Sequence, residues 1–282
     1  MEGMDAVFSF VKYVLKGLLM YGVFIIIERL RPAEPNQPFR HIIFNLKWYI
    51  VYTLLAFVMN AIGLATLVSL TRSWLGGAYL NFPAPRNWLE TVIGIVLYFL
   101  IVDFFYYWFH RFQHTNRFLW QQHKFHHSEV SLNVTSSRRV HWLEEPLVLL
   151  FIVLPMSLLF RLEPIEAGLL AFIEILWLQF IHMNLRLGFG VFSSLIASPQ
   201  YHRIHHSFQT QHINKNYAVF FPVWDIVFGS YCHPQIDEFP ATGLTTKETY
   251  NHLWEASILP FREWYKLIKI GRSKHQTEKN NL

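Results

Sequence analysis

Eight histidines fall into three compact blocks of this sequence. "HRFQH" places His110 and His114 four residues apart. "HKFHH" places His123, His126 and His127 at i, i+3 and i+4, and "HRIHH" repeats that pattern with His202, His205 and His206. On a helix, each set shares one face within about one turn. A ninth, His182, stands between the blocks, with Asn184 two residues beyond it. Crowded imidazoles repel when protonated and waste desolvation when neutral, unless something accepts their lone pairs. A metal does so, and neutral imidazole is a good ligand for iron, zinc and copper. One i, i+4 pair alone reads as packing. Three blocks supply more nitrogens than one ion needs, and the spacing predicts a dimetal centre.

The chemistry follows from the company these histidines keep. No H-E-x-x-H is present, and neither are a G-x-S-x-G elbow, a P-loop or a paired-cysteine zinc motif. Cys232 is the single cysteine, which excludes an intramolecular disulfide and a thiolate cluster. What remains is a nitrogen-rich, carboxylate-poor centre. It suits oxygen activation better than hydrolysis, although spacing does not identify the metal.

The elements that must position these ligands are membrane helices. Hydrophobic residues make up 52% of the 282-residue chain and charged residues 15%, which is wrong for a soluble domain. Trp48 to Leu70 has no formal charge and would span about 34 Å as a helix, against a hydrocarbon core of about 30 Å. Thr91 to Phe109 is a second such run, interrupted only by Asp103. Leu147 to Phe160 and Ile165 to Ile181, separated by "RLEP", read as a helical hairpin. Ala6 to Ile27 carries Lys12 and Lys16; "LLMYGVFIIIERLRPAEP" shows no convincing cleavage site, so it reads as an anchor. The expected fold is all-α and polytopic, with about four to five transmembrane helices, the hairpin among them, and a cytoplasmic histidine-rich helical cap. The expected organisation is membrane anchors over 1–90, a catalytic region over 91–260 and a basic interfacial tail over 261–282. No internal repeat or low-complexity linker appears.

Charge sets the orientation. The loop Glu28 to Lys47 holds Arg29, Arg31, Arg40 and Lys47, and the stretch after the third run holds Arg111, Arg117, Lys124, Arg138 and Arg139. The loop from Arg72 to Asn87 holds only Arg72 and Arg86. By the positive-inside rule, the first loop and the histidine blocks face the cytoplasm. The hairpin returns the chain to that side before Arg186, so all blocks meet at one membrane face. The tail carries Arg262, Lys266, Lys269, Arg272, Lys274 and Lys279 against Glu263 and Glu278. With Phe261, Trp264 and Tyr265 beside them, these residues suit anionic lipid headgroups. No basic face elsewhere suits nucleic acid.

Several neighbours could support the centre. Asp103 lies seven residues before His110 on the same helical face, and an intramembrane acid needs a partner. It is expected to accept from a ligating imidazole N–H, with a tyrosine hydrogen bond as the alternative. Glu174 shares a face with His182 and either orients it or pairs with another helix. His141 and His212 lie near the blocks as supporting or structural residues. His41, His233, His252 and His275 read as surface or packing residues.

"DFFYYWFHRFQH", "LWQQHKFHH", "SPQYHRIHH" and "NYAVFFPVWDIVFGSY" closely resemble the fatty acid hydroxylase/sterol desaturase superfamily, from about Asp103 to Tyr231. The resemblance implies an integral-membrane non-haem di-iron oxygenase acting on a sterol, fatty acyl chain, sphingolipid, ether lipid or carotenoid. It implies that His110, His114, His123, His126, His127, His202, His205 and His206 bind two irons, with His182 a further ligand. Some relatives carry another histidine a few residues past this position, where this chain has Arg186 at the corresponding spacing. Trp224, Asp225, Phe228 and Gly229 resemble the closing motif and read as a structural cap.

The expected reaction uses O2 and external electrons to hydroxylate or desaturate a lipid C–H bond. The chain has no flavin, haem or iron–sulfur motif, so a cytochrome b5, a ferredoxin or a reductase is implied as donor, with the basic tail as a docking surface. Two other classes stay open: a histidine-rich metal or proton transporter, which would place polar residues at the midplane, and a zinc-dependent membrane hydrolase with Glu129 or Glu144 as base. The lipid, the carbon attacked and the membrane, bacterial inner or endoplasmic reticulum, are left open.

Overall fold

The computed structural model describes residues 2–76, 79–80, 85–161 and 164–280, with the side chains of 2–6, 60–62, 64–65, 68, 164–165 and 271–280 excepted. The tail residues Arg272, Lys274, His275, Glu278 and Lys279, and three residues of "RLEP", therefore lie outside the described side chains.

Among the described residues every regular element is helical, as the apolar runs predict. Three helices are long and apolar enough over their described residues to cross a bilayer: Val7–Leu30 within α1 (Glu2–Leu30), Phe39–Met59 within α2 (Phe39–Leu75), and α3 (Trp88–Thr115). Asn87 starts α3 by accepting the Glu90 N–H, and Glu90 adds an acidic first turn. The expected domain boundaries at 90/91 and 260/261 both fall inside helices, in α3 and in α10 (Leu253–Asn280).

The hairpin forms, but its first arm is interrupted. It comprises α5 (Glu144–Val148), a π-helical turn over Leu149–Val153 and α6 (Leu154–Leu159). Pro155 has no N–H to return to the preceding turn, and the Leu154 N–H reaches five residues back to Leu149. This arm is about 24 Å long, short of the hydrocarbon core. The second arm is α7 (Pro164–His182). The all-α, multi-pass architecture expected from the apolar runs stands, with the first arm of the hairpin too short to cross the bilayer.

A cap of short helices sits at the end of these spans: α4 (Trp120–His127), a 3-10 turn over Val134–Arg138, α8 (Pro199–His205) and α9 (Val223–Val227). Trp48 of α2 packs on Phe125 of α4 with ring centroids 4.7 Å apart, both fully buried. Burying each such aromatic in the cap contributes about 1.5–3 kcal/mol. Arg139 ties these pieces together. Its guanidinium donates to Asn45, Ser128, and the carbonyls of Phe125 and Tyr250, and lies between the rings of Phe44 and Phe125. α10 docks on α4 through Lys124 and Glu263, 3.3 Å apart, and its Trp264 indole donates to the Phe118 carbonyl just past the end of α3.

Candidate metal centre

The four histidine-bearing elements converge. α3 ends with His110 and His114, and α4 carries His123, His126 and His127 along one side. α7 ends on His182, while α8 carries His202 and His205, with His206 at its C-cap. The start of α8 is built as its sequence predicts: the Ser198 hydroxyl accepts the Tyr201 N–H at 3.1 Å and Pro199 is the first helical residue.

Nine imidazoles form two adjoining groups. His110, His114, His123, His127 and His205 make one; His126, His182, His202 and His206 make the other. Within each group the potential ligand nitrogens lie within 4.8 Å of one another. The groups touch through His127 and His206, whose rings stack at 4.5 Å.

Hydrogen bonding on the outside of the groups fixes which nitrogens face inward. His110 donates from Nδ1 to the Tyr217 carbonyl (2.8 Å), His182 to the Leu178 carbonyl (2.7 Å) and His205 to the Lys215 carbonyl (2.8 Å). His123 Nδ1 faces the Glu144 carboxylate at 3.4 Å. The Nε2 atoms of these four are then acceptors. Yet His110 Nε2 and His123 Nε2 stand 3.0 Å apart, and His182 Nε2 is 3.0 Å from His202 Nε2 and 3.3 Å from His126 Nε2. Between His110 and His123 two lone pairs then face each other and repel. A cation between them removes the repulsion, and nitrogens bound at right angles at about 2.1 Å are about 3.0 Å apart. Among the described residues, His205 Nε2 and five further ring nitrogens are buried with no partner: Nε2 of His114 and His127, and Nδ1 of His126, His202 and His206. The donor set fits bound metal.

The electrostatics agree. Burial first, and neighbouring imidazoles second, push His126, His127, His202 and His206 well below the ordinary histidine pKa. Burial pushes His205 down to about 3, against the opposing pull of the Lys215 carbonyl. These rings are neutral at pH 7, the form that binds a metal.

Among the described residues, Asp103 bonds neither a histidine nor a tyrosine. Its Oδ1 accepts the Val219 N–H and its Oδ2 those of Phe220 and Phe221. Neither sequence expectation holds, because a loop distant in the chain presents donors that a buried carboxylate satisfies better. Asp225 serves the same segment, accepting the N–H groups of Tyr217 and Ala218 and the hydroxyls of Tyr201 and Ser230. Trp224 beside it donates to the Leu100 carbonyl on α3. These two residues fasten the 217–221 segment, whose first carbonyl orients His110.

The remaining expectations divide. Glu174 does not orient His182, whose Nδ1 is already committed to its own helix one turn back. Asn184 braces the 28–34 segment, exchanging hydrogen bonds with the Glu34 backbone. Both His141 nitrogens are used, by the Ser257 carbonyl and the Leu143 N–H, and His212 pairs with Glu238; neither belongs to the two groups. His41 is not a surface residue: it is buried and bonded to Glu129, which burial raises and the His41 hydrogen bond, Arg139 and Asn45 lower, to a net pKa below its ordinary value. With Asn45 and the Ser131 N–H also bonded to it, Glu129 is not a free base. Glu144, named in the sequence only as a base, lies behind His123 instead. The carbonyls of Leu178, Lys215 and Tyr217 leave no mark in residue types and were missed.

A cavity of about 230 Å³ opens onto the first group. It is lined by His114, His127 and His205 together with Trp120, Phe208 and Leu244.

A helical membrane scaffold that gathers nine imidazoles at the ends of its spans has the architecture of a histidine-box protein. Residues 95–230, just under half of the chain, match the family model described as fatty acid hydroxylase. Curated relatives include alkylglycerol monooxygenases. The Danio rerio protein is 27% identical over 83% of this chain and 50% of its own length, and the Homo sapiens protein 30% identical over 58% and 35%. A very-long-chain aldehyde decarbonylase of Arabidopsis thaliana is 27% identical over 54% of this chain and 28% of its own length. The chain spans half or less of the length of these relatives. No solved structure matches.

Proposed function

We propose that this chain is a membrane-bound non-haem di-iron monooxygenase that hydroxylates a lipid C–H bond, with the O-alkyl chain of a glycerol ether as substrate. The observation that carries this reading is the pair of histidine groups, five and four, with inward-facing acceptor nitrogens. Its setting supports it: the groups sit at the ends of apolar spans that admit a lipid chain. The names of the relatives support the substrate class.

In this reading, His110, His114, His123, His127 and His205 hold one iron and His126, His182, His202 and His206 the other. Bound iron would supply oxygen activation, one oxygen atom entering the C–H bond and the other leaving as water with two electrons and two protons from outside. The chain's own residues do the rest. The Tyr217, Leu178 and Lys215 carbonyls and Glu144 hold the imidazoles in the ligating tautomer. Asp103 and Asp225 fix the segment behind His110. The apolar faces of α3 and the hairpin exclude water from the lipid chain. Electrons come from a cytochrome b5, a ferredoxin or a reductase at the cytoplasmic face, where the histidine blocks lie, and the basic end of α10 offers a docking surface. Oxidation next to the ether oxygen gives a hemiacetal, which separates into an aldehyde and glycerol.

A transporter or hydrolase reading is less well supported. The imidazoles cluster at helix ends and are not strung across the spans, and Glu129 is fully engaged.

Iron-loaded protein in nanodiscs, given 1-O-hexadecylglycerol, O2 and a reductant, should release hexadecanal with matched O2 consumption. No product from this or any fatty acyl or sterol substrate, with both irons bound, would contradict the proposal.

A further inference from the structure

The connection between α1 and α2 closes on the metal centre. Glu28, in the last turn of α1, is buried, and its Oε2 accepts the N–H groups of Val134 and Asn184, each at 3.0 Å. Asn184 lies two residues beyond His182 and is buried as well. All four of its hydrogen-bonding groups end on residues 28–34. Its N–H meets the Glu28 carboxylate, its carbonyl the Ala33 N–H (3.0 Å), its Oδ1 the Glu34 N–H (2.9 Å) and its Nδ2 the Glu34 carbonyl (2.8 Å). The chain leaving α7 is thereby fastened to the end of α1.

Glu34 reaches a second ligand segment. Its carboxylate pairs with Arg203 of α8, which is buried next to His202 in the chain and also donates to the Pro240 carbonyl at 2.8 Å. Gln37 ties the same carboxylate to the Leu132 carbonyl. One short connection thus bonds both the residues behind His182 and the helix that carries His202 and leads to His206. These three histidines, with His126, are the second group, and the Nε2 atoms of His182 and His202 stand 3.0 Å apart. His182 uses its Nδ1 within α7, a bond that does nothing to place the end of α7 against α8. Four of the five histidines of the first group lie on α3 and α4 instead.

We infer that the α1–α2 connection is part of the metal centre: Glu28 and Glu34 are positioning residues that set His182 against His202 and so govern metal binding by the four-histidine group. The inference rests on the proposed two-metal reading. It assigns half of that site's support to residues 28–37, which lie outside the 95–230 family match and inside the region the apolar runs mark only as an anchor. At Glu28 the role needs an acceptor oxygen and no charge. Its Oε1 has no partner, so the amide of Glu28→Gln can accept both N–H groups through its oxygen and place its NH2 at the idle position. At Glu34 the carboxylate itself is needed, because Arg203 would otherwise be a buried cation without a counter-charge.

Cobalt(II) titration of the metal-free protein in nanodiscs, followed by visible absorption, tests this without turnover. The wild type should bind in two steps, and His114→Ala and His182→Ala assign those steps to the first and second groups. Glu28→Leu and Glu34→Ala should weaken the second step by about 10- to 100-fold, the range typical of lost support behind a ligand, and leave the first unchanged. Glu28→Gln should return the second step to near the wild-type affinity. Equal weakening of both steps would mark a general loss of structure and overturn the assignment, as would two steps that neither Glu28→Leu nor Glu34→Ala moves. A wild type with fewer than two steps would overturn the two-metal reading and this inference with it. Glu34→Ala, at a part-exposed position, carries the comparison if Glu28→Leu does not fold.

Discussion

Asp103 and Asp225 divide one run of backbone between them. Asp225 accepts the N–H groups of Tyr217 and Ala218, and Asp103 those of Val219, Phe220 and Phe221, so five successive amides end on two carboxylates. The carbonyl of the first of these residues orients His110. An acid on one membrane helix thus reaches a ligand on its own helix only by way of a loop more than a hundred residues away. Asp103→Asn retains a single acceptor oxygen and aims an NH2 group at amide donors. With charge-assisted hydrogen bonds worth about 1.5–3 kcal/mol, the variant should lose about 2–4 kcal/mol and melt several degrees lower, in the metal-free form as well. Asp225→Asn should behave alike. Thermal melting in detergent checks both; an unchanged midpoint for either would remove it from this role.

The ligand set makes a sharper demand. His127 and His206 stand at the contact of the two groups, and replacing either by alanine should lower the bound metal and reduce turnover to about the background rate, with helix content intact. His252→Ala, at an exposed position, should match the wild type. Metal analysis and circular dichroism of the three variants decide it, and full metal content in both His127→Ala and His206→Ala would remove them from the ligand set.

The histidine blocks were legible because metal ligation repeats at helical spacing and imidazoles are scarce in apolar sequence. All nine come together, the eight of the blocks as their spacing predicts and His182 as the family resemblance implies, and the Ser198–Pro199 start of α8 was readable from local capping chemistry. The environment behind the ligands was not. Glu144 supports His123 across 21 residues, and three of the supporting groups are backbone carbonyls, which no residue type announces. Asp103 was noticed for its cost in a span, but helical periodicity pointed to His110, when its donors came from a loop. The interrupted hairpin arm also went unseen: hydropathy registers "LVLLFIVLPMSLLF" as one apolar run, whereas Pro155 forces a π turn within it.

Acid should destabilise the metal-free protein. Folding holds His126, His127, His202, His205 and His206 below their ordinary pKa. Below about pH 6.5 the unfolded chain takes up protons that the folded chain refuses, so stability is complete above that pH and falls as pH drops. Each such histidine adds a slope of up to about 1.4 kcal/mol per pH unit. The melting temperature of the metal-free protein should fall steeply from pH 6.5 to 5; a constant value across that range would contradict the burial of these rings as neutral groups.

Both outer blocks must face the same compartment. With Cys232 replaced by serine, Arg117→Cys and Thr210→Cys, both at exposed sites, should react with an impermeant maleimide from the cytoplasmic side alone. Labelling of the two from opposite sides would separate α4 from α8 and break the centre.

The central claim, that the two histidine groups hold a pair of irons, is tested most directly by metal stoichiometry and Mössbauer spectroscopy on protein purified anaerobically and loaded with ⁵⁷Fe. The account predicts two irons per chain in nitrogen-rich sites. It also predicts that His110→Ala and His202→Ala, one from each group, disturb different halves of the spectrum. A single iron per chain, or two sites that no histidine substitution in either group alters, would contradict it.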